Sequence, residues 1–161
     1  MPSDIAQLQR FLLSQSVLTL ATVDDDGPWS APVLYAVAME DHRPVLYFLS
    51  SSSSRHSKSL SEKSMFAASI YAPYQNDWRA IKGLQMQGVI TLLTDDQRPK
   101  FEALYFAQFP EIVKIIDSSS TEYEAKIGKA FKTSAYYSFT PTYIRMTDNS
   151  GTFASRKEWF F

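Results

Sequence analysis

Short strand-like segments recur between residues 17 and 93, and clusters of turn residues separate the first three of them. Five of them combine alternating apolar positions with many β-branched and aromatic side chains, and they span residues 17–23, 29–39, 45–50, 66–72 and 84–93. The first two connections, residues 24–28 and 40–44, are rich in Asp, Gly and Pro, as tight turns are. This spacing predicts an antiparallel meander that closes into a barrel or a sandwich. Pro32, inside the second segment, indicates an edge, a bulge or a strand start.

Helical patterns flank these strands. Residues 4–14 predict an amphipathic helix whose apolar face carries Ile5, Leu8, Leu12 and Leu13. Residues 94–109 open with Thr and Asp as cap residues and a proline near the first turn, which predicts a second helix. The remaining expectations are a short helix or turn at 110–120, a weak helix at 121–131, and strands at 135–147 and 152–161. The expected fold is α+β but mainly β, with an antiparallel barrel-like core in a single domain over residues 1–161.

Composition removes several classes of function. The chain has 161 residues with 16 basic and 17 acidic side chains, so no bulk field attracts nucleic acid or an acidic membrane. The absence of Cys excludes disulfides and thiolate chemistry, and two His cannot build a three-His metal site, so no metal is expected. No two of the five Gly are spaced G-x-G, which argues against a dinucleotide fingerprint or a Walker A loop. No apolar run is long enough to span a bilayer, and no signal peptide is evident, so a cytoplasmic protein is expected.

The strongest chemical signal lies in residues 49–65, between two apolar strands. The segment holds nine serines together with one acid and four basic residues, namely Glu62, Arg55, His56, Lys58 and Lys63. A flexible serine linker is one interpretation. Two features favour another: connections within a meander are normally short, and Ser59–Glu62 has the spacing of a capping box, with Leu60 able to face inward.

A hydroxyl-rich loop that leads into a helix is suited to a phosphate group. Amides at a helix N-terminus favour an anion, and serine hydroxyls donate hydrogen bonds without adding bulk. Arg55 can offer a planar two-pronged contact, and Lys58 a point charge. The segment therefore predicts local phosphate binding in a protein that is almost neutral overall.

A second polar cluster covers residues 76–88. In a strand, Gln85 and Gln87 share one face while Leu84 and Met86 occupy the other. A half-exposed strand with outward polar residues accounts for this pattern. The alternative is that Gln85 lines a pocket and forms hydrogen bonds with the edge of a heterocycle.

The sequence also resembles a known family. The residues that carry the likeness are, in chain order, VLTLATV, G-x-W-S-A-P-V-x-Y-A, LYFLS-x-x-S-S-R-H-S, AASIY and W-x-x-I-K-G-L-Q-M-x-G. In combination they resemble the pyridoxamine 5′-phosphate oxidase-related flavin-binding split barrels, and within them the YhbP-like branch. The likeness extends from about residue 10 to the DNSG turn.

This resemblance implies a six-stranded split barrel and a homodimer with FMN in a groove between the subunits. Basic and hydroxyl residues after the third strand would hold the flavin phosphate. The cofactor-binding residues it implies are Ser30, Tyr35, Leu49, Ser50, Arg55, His56, Ser57, Lys58, Lys82 and Gln85. His56 stands where the oxidases have Lys, and residues 30–36 lack the basic residues that the oxidases carry there.

Two functions follow as alternatives. One is an FMN-dependent oxidoreductase for a small aromatic or quinone-like substrate, in which Lys82 lies near the flavin pyrimidine edge and no catalytic side chain is assigned. The other is a non-catalytic flavin- or haem-binding carrier of the same fold, for which His42 and His56 are the possible histidine ligands. A dimeric structural protein that has lost its site is a third possibility.

Overall fold

A computed structural model describes residues 2–59, 65–152 and 155–161 of the chain. Its helices are α1 (Pro2–Leu13), α2 (Arg55–Ser59), α3 (Arg98–Gln108), α4 (Pro110–Asp117) and α5 (Glu122–Thr133), with a 3₁₀ turn at Trp78–Ala80. Its strands are β1 (Val17–Asp24), β2 (Gly27–Glu40), β3 (Arg43–Ser50), β4 (Phe66–Tyr71), β5 (Lys82–Leu92), β6 (Ala135–Asp148) and β7 (Ser155–Phe160). Within this part of the chain, no helix has both the length and the hydropathy needed to cross a bilayer.

The seven strands form one antiparallel sheet that closes on itself through β6. The strand order is β3-β2-β1-β4-β5-β6-β7, and β3 pairs with β6 as well. Residues 135–139 of β6 pair with β3, whereas residues 143–148 pair with β7, and β5 follows almost the whole opposite edge. One long strand thus joins the ring to an added strand, so the sheet is ring-like rather than a regular barrel. The predicted mainly β fold with flanking helices is confirmed.

The helix α1 closes one end of the ring. Leu8 and Leu12 are fully buried, and the Tyr35 hydroxyl donates a 2.6 Å hydrogen bond to the carbonyl oxygen of Leu12. The expectation that Leu13 joins this face is wrong, since Leu13 is 57% exposed and Phe11 is buried instead. Periodicity alone places Phe11 and Leu13 near the buried face of α1. The packing of the helix against the end of the ring buries Phe11 and leaves Leu13 in solvent.

A second core lies between the outside of the ring and the later helices. Tyr47 on β3 and Tyr136 on β6 pack there against Phe101 and Tyr105 of α3. Because α3 covers its outer side while the ring covers its inner side, β3 is buried on both faces, which explains its uninterrupted apolar run. The predicted cap at Thr94 is wrong: α3 begins at Arg98, and the Thr94 hydroxyl instead donates to Asp96 within a preceding turn.

Two local predictions are confirmed at the first hairpin. Gly27 follows the Asp-rich turn with a φ of 104°, a backbone conformation that favours glycine. Pro32 lies in the part of β2 that pairs with β1, whereas β3 pairs only with residues 35–40. The outer edge of β2 is therefore open at Pro32, so the missing N–H removes no ladder hydrogen bond.

Candidate functional site

The chain leaves β3 at Ser50 and enters a cluster of hydrogen-bonded hydroxyl groups that leads to α2. Ser50 and Ser57 are buried, and the Ser57 hydroxyl donates to Ser50 Oγ over 3.1 Å. Ser54 Oγ lies 2.8 Å from Ser57 Oγ and 3.1 Å from Ser50 Oγ. This hydrogen-bonded loop is not the flexible linker of the first interpretation, since its side chains hold one another and lead into α2.

His56 belongs to the same cluster. Its Nε2 lies 2.6 Å from Ser50 Oγ and 3.3 Å from Ser54 Oγ. Half-burial of the ring lowers the pKa of His56 below its usual value, which favours the neutral imidazole at neutral pH. Ser50 can then donate its proton to Nε2. His56 therefore contributes hydrogen bonding rather than a fixed positive charge.

Arg55 extends from the start of α2 to the first hairpin. Its Nε and Nη2 donate to the two carboxylate oxygens of Asp24 at 2.7 and 2.8 Å, and Nη2 also lies 3.3 Å from the Gly27 carbonyl oxygen. The guanidinium carbon is 4.7 Å from the centre of the Trp29 ring. The hydrogen bonds from Arg55 lower the pKa of Asp24, and the same contacts raise that of Arg55, so the two groups form a charged pair.

A groove of about 540 Å³ lies beside this pair. It is lined mainly by apolar atoms of β1, β2 and the beginning of β4, including Val23, Trp29, Ser30 and Phe66. Trp29 belongs both to the groove wall and to the contact with Arg55. Arg55 therefore stands at the rim of a groove that has an aromatic side, and the hydroxyl loop leads directly to Arg55.

Thr22 adds an unsatisfied polar atom to this region. It is 3% exposed, contributes to the groove lining, and pairs with Trp29 across the hairpin. Among the described residues, its Oγ1 is the buried side-chain polar atom that has no hydrogen-bond partner. Such an atom costs free energy unless a partner is supplied, which is consistent with a ligand in the vicinity.

Ser30 and Gln85 lie on the outer face of the sheet. Ser30, Ala21, Ala67 and Gln87 form one row across β2, β1, β4 and β5, and Gln85 lies in the next row. Since neighbouring strands are ~4.8 Å apart, Ser30 and Gln87 are separated by about 15 Å. Gln85 is exposed, whereas Leu84 and Met86 point into the core, so the predicted facing of this strand is confirmed.

Lys82 and Tyr35 are not brought to the groove within one chain. Lys82 is six residues along β5 from Gly88, the register partner of Phe66, which corresponds to ~20 Å of strand. Its Nζ is 2.9 Å from an Asp148 carboxylate oxygen. Tyr35 is fully buried, and its hydroxyl is bonded to the backbone of α1. The structure thus gives Tyr35 a place in the core.

The other predicted residues follow the course of the loop. Leu49 is partly buried against the second core and pairs with Tyr136, and Lys58 is an exposed residue of α2. The helix begins at Arg55, earlier than the capping-box spacing suggests. Ser59 is the last residue of α2, and the other capping-box residues, Leu60 and Glu62, lie outside the described residues.

Asp24, Trp29 and Thr22 are site residues that the sequence interpretation assigns only to a turn or a strand. Asp24 and Arg55 are 31 positions apart, and their contact depends on the ring bringing the first hairpin under the loop after β3. The signal available in the sequence was an acidic turn whose charge is complementary to that of the cation-rich segment, and many surface turns are acidic.

Comparison with known proteins decides the family. Residues 5–148 match the family model described as pyridoxamine 5′-phosphate oxidase. The chain belongs to the pyridoxamine 5′-phosphate oxidase family. A UPF0306 protein of Yersinia pseudotuberculosis is 25% identical over 158 residues, covering 98% of this chain and 94% of the relative. The resemblance seen in the sequence motifs is confirmed.

Solved structures with a similar fold include a protein of this oxidase family and a heme binding protein. A Clostridium acetobutylicum protein related to general stress protein 26, of the pyridoxinephosphate oxidase family, has a TM-score of 0.63 at 13% identity, covering 98% of this chain and 94% of that one. A heme binding protein from Mycobacterium smegmatis has a TM-score of 0.64 at 21% identity. The alignment covers 91% of this chain but 53% of the M. smegmatis chain, so this chain spans about half of that protein. At these identities the likeness shows the fold.

Proposed function

We propose that the protein binds FMN and acts as a flavin-dependent oxidoreductase on a small aromatic or quinone-like molecule. The observation that carries the proposal is the position of Arg55, which contacts the groove residue Trp29 while it extends from the hydroxyl loop. A phosphorylated flat ligand needs this combination of a cationic, hydroxyl-rich end and an apolar slot. Family membership supports the same cofactor.

The residues present fit such a group. Arg55, Lys58 and the hydroxyls of Ser50 and Ser57 would hold the phosphate, with His56 as a neutral hydrogen-bonding group. The unpartnered Thr22 hydroxyl and the Trp29 ring would face the remainder of the ligand. When bound, the flavin supplies the redox chemistry, and the protein orients it and excludes water. Leu49 and Ser30 would line the approaches to it.

We further propose that a homodimer completes the site, within one domain per chain and in the cytoplasm. Gln85 lies on the exposed outer face, and Lys82 lies at the far end of β5 from the groove. Either residue would reach a groove-bound ligand from a second copy that packs on this face. In that arrangement Lys82 would place positive charge near the ligand ring of the neighbouring subunit.

The binding proposal is tested by titrating the purified protein with FMN and recording its visible spectrum and fluorescence. Arg55→Ala should weaken binding by about 1.5–3 kcal/mol, the contribution of a hydrogen bond to a charged group. Arg98→Ala is the matched control, since Arg98 also pairs with a carboxylate and stacks on an aromatic ring, but on the helical side. Equal FMN affinity in the wild type and Arg55→Ala would remove Arg55 from the site.

Haem binding without turnover is a second candidate, favoured by the fold shared with the M. smegmatis heme binding protein. His56 is half-buried within the hydroxyl cluster, while His42 lies exposed in the turn between β2 and β3. Titration with haem should give a Soret shift that His56→Ala abolishes and His42→Ala retains. An FMN complex together with an unshifted Soret band would favour the flavin proposal.

A further inference from the structure

Asp24 occupies the part of Arg55 that a phosphate would use. An arginine binds carboxylates and phosphates alike through two parallel N–H donors, and here Nε and Nη2 both donate to Asp24. Neither partner is fully solvated, with side-chain exposures of 32% for Arg55 and 23% for Asp24. An anion that binds Arg55 through these two donors must therefore displace Asp24 or share Arg55 with it.

The charges around the pair weaken the attraction between Arg55 and a phosphate. Asp25 and Asp26 follow Asp24 in the same turn, and Asp26 interacts electrostatically with Arg55. On the loop side, burial of His56 favours its neutral form. With its charge matched by Asp24, Arg55 offers a phosphate much less attraction than a solitary guanidinium would.

We propose that Asp24 competes with the ligand phosphate for Arg55 and thereby sets how strongly the protein prefers a phosphorylated flavin over its unphosphorylated form. This inference rests on the proposed flavin site and assigns it a specificity-determining residue. In the wild type the Arg55–Asp24 pair opens or shifts when the phosphate arrives, so part of the phosphate's binding free energy is consumed. A ligand without phosphate leaves the Arg55–Asp24 pair closed, so its affinity does not depend on Asp24.

The discriminating variant is Asp24→Asn. It removes the charge but keeps the shape and the Oδ1 atom that accepts a 3.0 Å hydrogen bond from the Asp26 amide. Asp25→Asn is the matched control, because it removes the same charge from an adjacent exposed residue. Each protein is titrated with FMN and with riboflavin, which differ only in the phosphate.

We expect Asp24→Asn to tighten FMN binding about tenfold, the ratio that corresponds to losing one charge-assisted competitor, and to leave riboflavin binding unchanged. Asp25→Asn should change either affinity less than about twofold, since exposed charges are screened. Weaker FMN binding in Asp24→Asn would show that Asp24 orients Arg55 for the phosphate, and it would overturn the competition. Equal changes in the affinities for FMN and riboflavin would also overturn the competition, because Asp24 would then act on the part that the two flavins share and not on the phosphate.

A second measurement separates this inference from the flavin proposal. Melting temperatures are compared in inorganic phosphate and in chloride of equal ionic strength. Phosphate should stabilise Asp24→Asn more than the wild type, and this gain should vanish in the Asp24→Asn/Arg55→Ala double variant. If neither flavin binds but this pattern appears, the competition stands and the flavin proposal fails. If phosphate has no such effect and Asp24→Asn does not favour FMN, the competition is wrong.

Discussion

At the scale of single residues, Lys82 and Asp148 illustrate how the fold gives a motif residue a structural partner. Lys82 belongs to the strand motif, yet its ammonium group pairs with Asp148 at the end of β6. Burial alone would raise the pKa of Asp148, but hydrogen bonds from Ser150 and Lys82 lower it to about 2. The pair joins the ends of the two strands that share the longest ladder of the ring.

Asp148→Asn should therefore lower the free energy of unfolding by about 2 kcal/mol at pH 7. Because the folded-state pKa lies below the ordinary value of 3.8, this stabilisation is present above about pH 4 and disappears as the pH falls towards 2. Urea titrations of the wild type and the variant at several pH values between 3 and 7 check it. Exposed Asp95 gives the control Asp95→Asn. A difference between wild type and Asp148→Asn that persists undiminished at pH 3 would contradict the assigned pKa.

Gly88 is required for a steric reason that periodicity does not reveal. A methyl group there would overlap the Thr140 carbonyl oxygen and come within 2.8 Å of Pro141 Cα, where the ladder between β5 and β6 changes register. Gly88→Ala should destabilise the protein by about 1–3 kcal/mol, the usual cost of overpacking. Gly151→Ala is the control, since a methyl group there would meet no described atom within 4 Å. Equal thermal stability of the two variants would rule out the overlap.

At the scale of elements, the sequence predicts most strands and helices because alternation and periodicity report local geometry. The hairpin of β1 and β2, the apolar strand β3 and the strand facing at Gln85 all agree with their patterns. The start of α3 and the buried face of α1 do not, because each is decided by what the helix packs against. The Arg55–Asp24 contact joins distant segments and follows only from ring closure.

The helix α1 provides a direct measure of this packing. Leu8→Ala should cost about 2–5 kcal/mol of stability, since Leu8 is fully buried in the end of the ring. Leu13→Ala, the same substitution on an exposed residue of the same helix, should change stability by less than about 0.5 kcal/mol. Chemical denaturation of both variants checks the pair. Similar losses would mean that both leucines share the buried face, as the periodicity predicts.

At the scale of the whole molecule, the described helices cover one side of the ring more fully than the other. The helices α3 and α4 pack over β3 and β6, whereas the outer face of β1 and β2 exposes Val17, Val23 and Leu34. Val17 and Leu34 are register partners, so their side chains form an exposed apolar pair on the same face as the groove residues Ala21 and Ser30, four residues along β1 from Ala21. Exposed apolar residues on an open sheet face are suited to contact with a second copy, which the family resemblance also implies.

Leu34→Arg tests the homodimer without altering the groove, since Leu34 is not part of its lining. We expect the wild type to have about twice the 18.3 kDa mass of one chain in light scattering, and the variant to be monomeric with FMN affinity reduced at least tenfold. Val17→Arg, on the register partner, should act in the same way, and Leu13→Arg on α1 should leave mass and affinity unchanged. A monomeric wild type would refute the homodimer. A monomeric variant that binds FMN as tightly as the wild type would instead place the whole cofactor site within one chain, and Lys82 and Gln85 would then have no part in it.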